Sequence, residues 1–145
     1  MSNRKSLLIV ACSHRKRSDP GLLPAIIRYD GPTFFVLRRF IGQQPPESKG
    51  ISVYILSAEF GLIHHDQLIP HYDHRMTRTR AKALQPGIIA ELRRILSTNY
   101  YRELFISVGR DYLSALDGYD TLIPAELTVK RATGGLGKKL SELHD

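Results

Sequence analysis

The strongest constraint on this chain is an unbroken apolar run near its start, Ser6 to Cys12, which stops abruptly at Ser13-His14-Arg15-Lys16. A run without polar alternation has to be buried on both faces, the situation of a strand inside a parallel sheet. Two more segments read the same way: residues 51–58, rich in β-branched side chains, and residues 103–109. The intervening stretches are helical in pattern. Residues 22–29 and 32–41 are separated by Asp30-Gly31-Pro32, with Pro32 suited to a first helical turn. In the second of these, Phe35, Leu37, Phe40 and Ile41 are expected in the core, and Arg38-Arg39 in water. Residues 43–50 read as a surface loop, and residues 59–75 keep no period at all. A helix is predicted from Thr77 and restarted by Pro86, with Ile88, Ile89, Leu92, Ile95 and Leu96 as its buried stripe. A short helix follows at 111–116. Residues 121–125 are expected as a short fourth strand, kept to an edge by Pro124. A last helix is expected after Gly134-Gly135-Leu136-Gly137.

Strands alternating with helices predict an α/β fold: one domain whose mostly parallel sheet of about four strands is flanked by helices. The length of 145 residues and the 42% hydrophobic content suit a single domain with a proper core. Ligands of such sheets bind beyond the carboxyl ends of the strands. The turns leaving those ends are Cys12–Lys16, Ser57–Gly61 and Gly109–Tyr112, so these are expected to share one edge.

Those turns carry the residue types a reactive site needs. Cys12 and Ser13, followed by His14, Arg15 and Lys16, could supply an activated nucleophile. They could equally cradle an anion, with Lys16 neutralising it. Gly61 is expected to supply a positive φ after the small residues Ser57 and Ala58. Glu59 and Asp73 could act as general base or orient a ribose hydroxyl, or could simply pair with nearby arginines. Tyr72 offers a stacking face and a hydroxyl. Four of the six histidines fall at 64, 65, 71 and 74, but without the i, i+4 spacing of zinc hydrolases or any paired cysteine. No metal or other cofactor is therefore expected. Gly134 to Lys139 resembles a phosphate loop only loosely.

The net charge of +7 favours phosphate-bearing partners. The single cysteine suits a reducing compartment, and no run approaches the length of a membrane span. No signal-peptide pattern is evident, and a cytoplasmic protein that does not enter membranes is expected.

The pairing of Cys12-Ser13 and Lys16 with residues 56–63 (Leu56-Ser57-Ala58-Glu59-Phe60-Gly61-Leu62-Ile63) and Ile69-Pro70-His71-Tyr72-Asp73 resembles the small bacterial domains related to the peroxide-stress protein YaaA family. Gly109 and Tyr112 fit an element of the same domains. The Cys12-Ser13-Lys16 start is also similar to a domain of archaeosine synthase, which modifies a deazaguanine base in tRNA. The resemblance implies an α/β fold, a link to nucleic acid or nucleobases, and a site made of Cys12, Ser13, Lys16, Ser57, Gly61, Tyr72 and Asp73. At Glu59-Phe60 this chain departs from the relatives' pattern.

Together these readings point to an enzyme acting on a nucleotide, nucleoside or nucleic-acid base, by glycosidic cleavage, base exchange or base modification. Asp73, Glu59, Lys16 and Ser13 are its candidate catalytic residues. Cys12, Ser57, Gly61, Tyr72, Gly109 and Tyr112 are its candidate substrate-binding residues. The alternative is a non-catalytic DNA- or RNA-binding protein of the oxidative-stress response.

Overall fold

Leu7, Leu8, Ile9 and Val10 are all essentially inaccessible to solvent, as the apolar run requires. They belong to β1 (Ser6–Ala11), the central strand of a five-stranded sheet in a computed structural model that describes residues 5–131. In chain order, β1 is followed by a two-residue strand β2 (Leu23–Pro24), a short helix α1 (Ala25–Arg28) and α2 (Pro32–Ile41). A 3-10 turn at Pro46–Lys49 leads into β3 (Ile51–Ser57). Then come β4 (Gly61–His64), the two-residue β5 (Leu68–Ile69) and the long helix α3 (Arg78–Thr98). Next are β6 (Glu103–Ser107), the one-turn α4 (Arg110–Leu113) and β7 (Thr128–Arg131).

The main sheet runs β4-β3-β1-β6-β7, and β2 pairs with β5 in a separate two-stranded ribbon. β1 is parallel to both neighbours, Leu8 lying opposite Val53 on one side and Phe105 on the other. Only β4 runs antiparallel, paired to β3 through a turn closed by Ser57 and Gly61. The connection from β1 leads to β3 on one side, while α3 carries the chain across to β6 on the other. The direction of winding therefore reverses between β1 and β6, the place where open α/β sheets part to admit ligands.

Two apolar layers sandwich the sheet. Leu8 and Val10 pack with Ala25, Tyr29, Phe34 and Leu37 under α1 and α2. Leu7 and Ile9 pack with Ala81, Ile88, Leu92 and Ile95 under α3. The alternation along β1 thus feeds both cores.

Several elements depart from the sequence-based expectation. The sheet has five strands rather than about four. Only residues 25–28 of the stretch 22–29 are helical, because Leu23–Pro24 pairs with Leu68–Ile69 instead. The edge strand falls at 128–131, while residues 119–122 form a 3-10 turn in place of the strand expected at 121–125. Pro86 sits inside a single continuous helix. Ala81 before it and Ile88, Leu92 and Ile95 after it lie on one face, so the same core holds both halves. In α2 the buried stripe is Phe34, Leu37 and Ile41, spaced i, i+3, i+7; Phe35 is 55% exposed. Arg38, expected in water, turns inward to donate to the carbonyls of Ile26 and Tyr29 and to Asp30 Oδ1. The carbonyls ending a short helix need donors, and a guanidinium supplies them. The helix expected after Gly134, and the glycine-rich stretch before it, lie outside the described residues.

Candidate functional site

The three turns expected at one edge meet at Cys12. Its backbone N–H extends the β1–β3 ladder by donating to Leu56 O at 3.0 Å. Its Sγ accepts the Ala58 N–H at 3.4 Å and lies 3.3 Å from Tyr112 Oη. Burial, reinforced by Cys12 itself, pushes the Tyr112 phenol well above its ordinary value, so it keeps its proton. The side chain just after β1 therefore touches the turns after β3 and β6.

Beside Cys12 lies a ring of hydroxyls. Tyr29 is fully buried and donates to Ser57 Oγ at 2.9 Å. Because the Tyr29 proton is committed there, the Tyr72 hydroxyl, 2.6 Å away, donates to Tyr29. Ser57 Oγ lies 3.2 Å from Tyr72 Oη and also takes the N–H groups of Glu59 and Phe60. Burial raises the pKa of both phenols, which stay neutral. Lys16 lies over this cluster, its Nζ 4.4 Å from the centre of the Tyr72 ring and donating to His14 O at 3.1 Å. Burial lowers the Lys16 pKa, while Cys12 and the exposed carboxylate of Asp73 pull it back upward. Phe60, 37% exposed, meets Tyr72 edge-to-face at 5.4 Å.

On the other side of Cys12 an open cleft of about 300 Å³ occupies the gap between the ends of β1 and β6. Cys12, Ser13, Ser107, Val108 and Gly109 line it, together with Gly31, Pro32 and Thr33 at the start of α2. Residues at the N-terminus of α2 line this space, and the positive end of the helix dipole favours an anion. Pro32 carries no N–H, and those of Gly31 and Phe34 are already bonded.

Not every expected site residue reaches the cleft. Ser13 lines it, but its hydroxyl staples the loop, donating to Arg15 O at 2.6 Å and accepting the Gly31 N–H at 3.2 Å. Ser57 is sealed in the hydroxyl ring and supports the site from beneath. Gly61 does adopt the expected positive φ, 78°, yet it is buried in the β3–β4 turn and faces Ile88 rather than the cleft. The Glu59 carboxylate turns away to His74, 2.7 Å from its Nδ1, while Arg80 holds the carbonyls of Ala58 and Glu59. The pairing foreseen with an arginine is made with a histidine. Cys12, Lys16, Tyr72, Asp73, Gly109 and Tyr112 remain at the strand-end edge.

Sequence reasoning missed Tyr29 and Gly31. Tyr29 was hidden in an expected helix, and only its buried hydroxyl marks it. A Cβ on Gly31 would lie 2.7 Å from Ser13 Cβ, closer than packed atoms tolerate. Gly31→Ala is expected to destabilise the fold by about 1–3 kcal/mol through overpacking. A denaturant midpoint equal to that of the unaltered protein would show that the two segments are not in contact.

Among the described residues one group has donors converging as a metal site would: Glu47, His64 and His65. Glu47 Oε2 lies 3.0 Å from His64 Nε2 and 3.3 Å from His65 Nε2. His64 Nδ1, however, accepts the Asp66 N–H at 3.2 Å, so the proton of the neutral ring is on Nε2 and points at the carboxylate. In this geometry the group is a hydrogen-bonded pin between the Pro46–Lys49 turn and β4.

A family profile described as "Family of unknown function (DUF6884)" matches residues 7–145. No curated protein matches the sequence significantly. The solved structure of AF0587, a protein of unknown function, is similar in fold, with a TM-score of 0.51 and 14% identity over 97% of this chain. This chain corresponds to only 43% of that neighbour, and the likeness is one of fold.

Proposed function

The chain belongs to DUF6884, a family of unknown function, so its chemistry has to be read from its own site. We propose an enzyme acting on a nucleotide, nucleoside or nucleic-acid base, by glycosidic cleavage or base exchange or modification, at the strand-end cleft. The observation that carries this reading is a cleft lined by the start of α2 and by Cys12, with a half-buried lysine stacked on Tyr72 across Cys12 from it. A cleft of about 300 Å³ is at the small end of ligand pockets and suits a nucleoside or single nucleotide better than a dinucleotide. The positive end of α2 would draw the phosphate into the cleft, and across Cys12 from it Tyr72 and Phe60 would meet the flat base while Lys16 and Asp73 would handle protons. The resemblance to the YaaA family at Cys12-Ser13, Lys16 and Tyr72-Asp73 supports the same reading, as does the basic charge. A lone cysteine suits the cytoplasm.

A thermal-shift screen of nucleotides, nucleosides and free bases tests it directly. A true ligand at about 100 times its Kd adds about 2.7 kcal/mol of stability, which raises the melting temperature by several degrees in a domain of this size. No shift with any of them at millimolar concentration would remove the proposal. Exposed His14, Arg75 and Arg110 on segments at this edge favour a second reading, a non-catalytic DNA or RNA binder. Its affinity would fall steeply with salt, whereas pocket binding of a free base would be nearly indifferent to it.

A further inference from the structure

Arg28 is the largest fully buried side chain among the described residues, at 0% exposure. A buried guanidinium normally lies against a carboxylate, because an unpaired charge is costly away from water. Here the partners are backbone carbonyls. Nη1 donates to Arg17 O at 2.7 Å and Asp19 O at 2.9 Å, and Nη2 donates to Gly21 O at 2.6 Å. Nε and Nη2 both approach Ile69 O at 3.4 Å. The backbone of the same residue grips the same loop, since Arg28 O accepts the Arg17 N–H at 2.8 Å.

These acceptors belong to two separate segments. Residues 17–21 continue the loop that carries Lys16, and Ile69 begins the segment that carries Tyr72 and Asp73. Tyr29, the next residue along, joins the hydroxyl ring through Ser57 and Tyr72. Neither segment belongs to the main sheet; beyond Gly21 a two-residue ladder pairs Leu23–Pro24 with Leu68–Ile69, and the Arg28 fork adds bonds to residues 17–21 on the Lys16 side of it. A planar fork with five donors can bridge them where a lysine ammonium cannot reach all the acceptors.

We propose that Arg28 is the positioning residue of the strand-end site, holding the Lys16 loop and the Tyr72-Asp73 segment in register through the carbonyls it binds. It touches no substrate, and it acts through where Lys16 lies. The assignment rests on the strand-end site being the working one, but its main readout needs no ligand. In isotopically labelled protein, NMR follows the titration of the Lys16 amine, which burial over Tyr72 depresses. Arg28→Lys keeps the charge and loses the fork. The folded variant is expected to show the Lys16 titration moved up towards an ordinary lysine, with the other lysines unmoved. Arg28→Gln, with methylguanidinium added at millimolar concentration, is expected to recover part of the depression.

An unchanged Lys16 titration in either folded variant would overturn the proposal. Should both variants fail to fold, hydrogen exchange of the Arg28 guanidinium in the unaltered protein decides: protected Nη–H groups support the clamp, and exchange at the rate of a free arginine overturns it. A Lys16 shift in a protein that binds no nucleotide would leave the clamp standing while removing the functional reading.

Discussion

Phe34→Ala is expected to lower the unfolding free energy by about 3–5 kcal/mol, while Phe35→Ala changes it by less than about 0.5 kcal/mol. The two residues are neighbours in one helix, so composition and helix propensity barely distinguish them. Phe34 is at 0% exposure and packs against Tyr29 with ring centres 5.4 Å apart. Removing it leaves a cavity between α2 and β1. Phe35 is 55% exposed, with the Arg38 guanidinium 5.3 Å from its ring centre. A domain typically holds only about 5–15 kcal/mol in total, so Phe34→Ala should bring it close to unfolding at 37 °C. Urea denaturation of both variants measures this. Equal losses would mean that the phase of α2 on the sheet is wrong.

Lys16→Met is expected to weaken nucleotide binding about 10- to 150-fold without destabilising the protein. A hydrogen bond to a charged group contributes about 1.5–3 kcal/mol, which gives that range of affinity. The stability half of the expectation follows from the surroundings of the amine. The amine donates to a backbone carbonyl, and burial already disfavours its charge. A methionine of similar length can lie over the Tyr72 ring with no ammonium to desolvate. Asp73→Asn complements it: turnover should fall by about 10²- to 10⁴-fold, the usual worth of a general base, with affinity nearly intact. Calorimetric titration of the ligand found by thermal shift separates the two. A Lys16→Met protein that binds as well as the parent would exclude this lysine from the site, and full activity in Asp73→Asn would end the proton-transfer assignment.

Much of the framework is legible from short-range pattern. The unalternating runs at 6–12, 51–58 and 103–109 identify parallel strands because only burial on both faces tolerates them. Pro32 marks the start of α2 because its ring forbids an earlier N–H bond. The stripe through Ile88, Leu92 and Ile95 marks α3. The shared edge of the Cys12, Ser57 and Gly109 turns then follows from parallel topology alone, and the contacts of Cys12 with Ala58 and Tyr112 bear it out.

Other features turn on partners distant in the chain. Leu23–Pro24 could have continued a helix, and it is a strand because Leu68–Ile69 lies beside it. Ser13, Ser57 and Glu59 are plausible catalytic or binding side chains by type, and their hydrogen bonds to Gly31, Tyr29 and His74 commit them elsewhere. Arg28 shows the limit most plainly, since nothing local tells a buried arginine from a solvated one.

The sequence by itself determined the α/β class, the central strands and the edge where Cys12, Lys16 and Tyr72 gather. These depend on hydrophobic period and on backbone stereochemistry, which act within a few residues. Only the tertiary structure decided which polar groups remain free to meet a ligand. A hydrogen bond has the same worth whether its partner is 2 residues away, as for Lys16 and His14, or 41, as for Arg28 and Ile69, and no local period encodes the second kind.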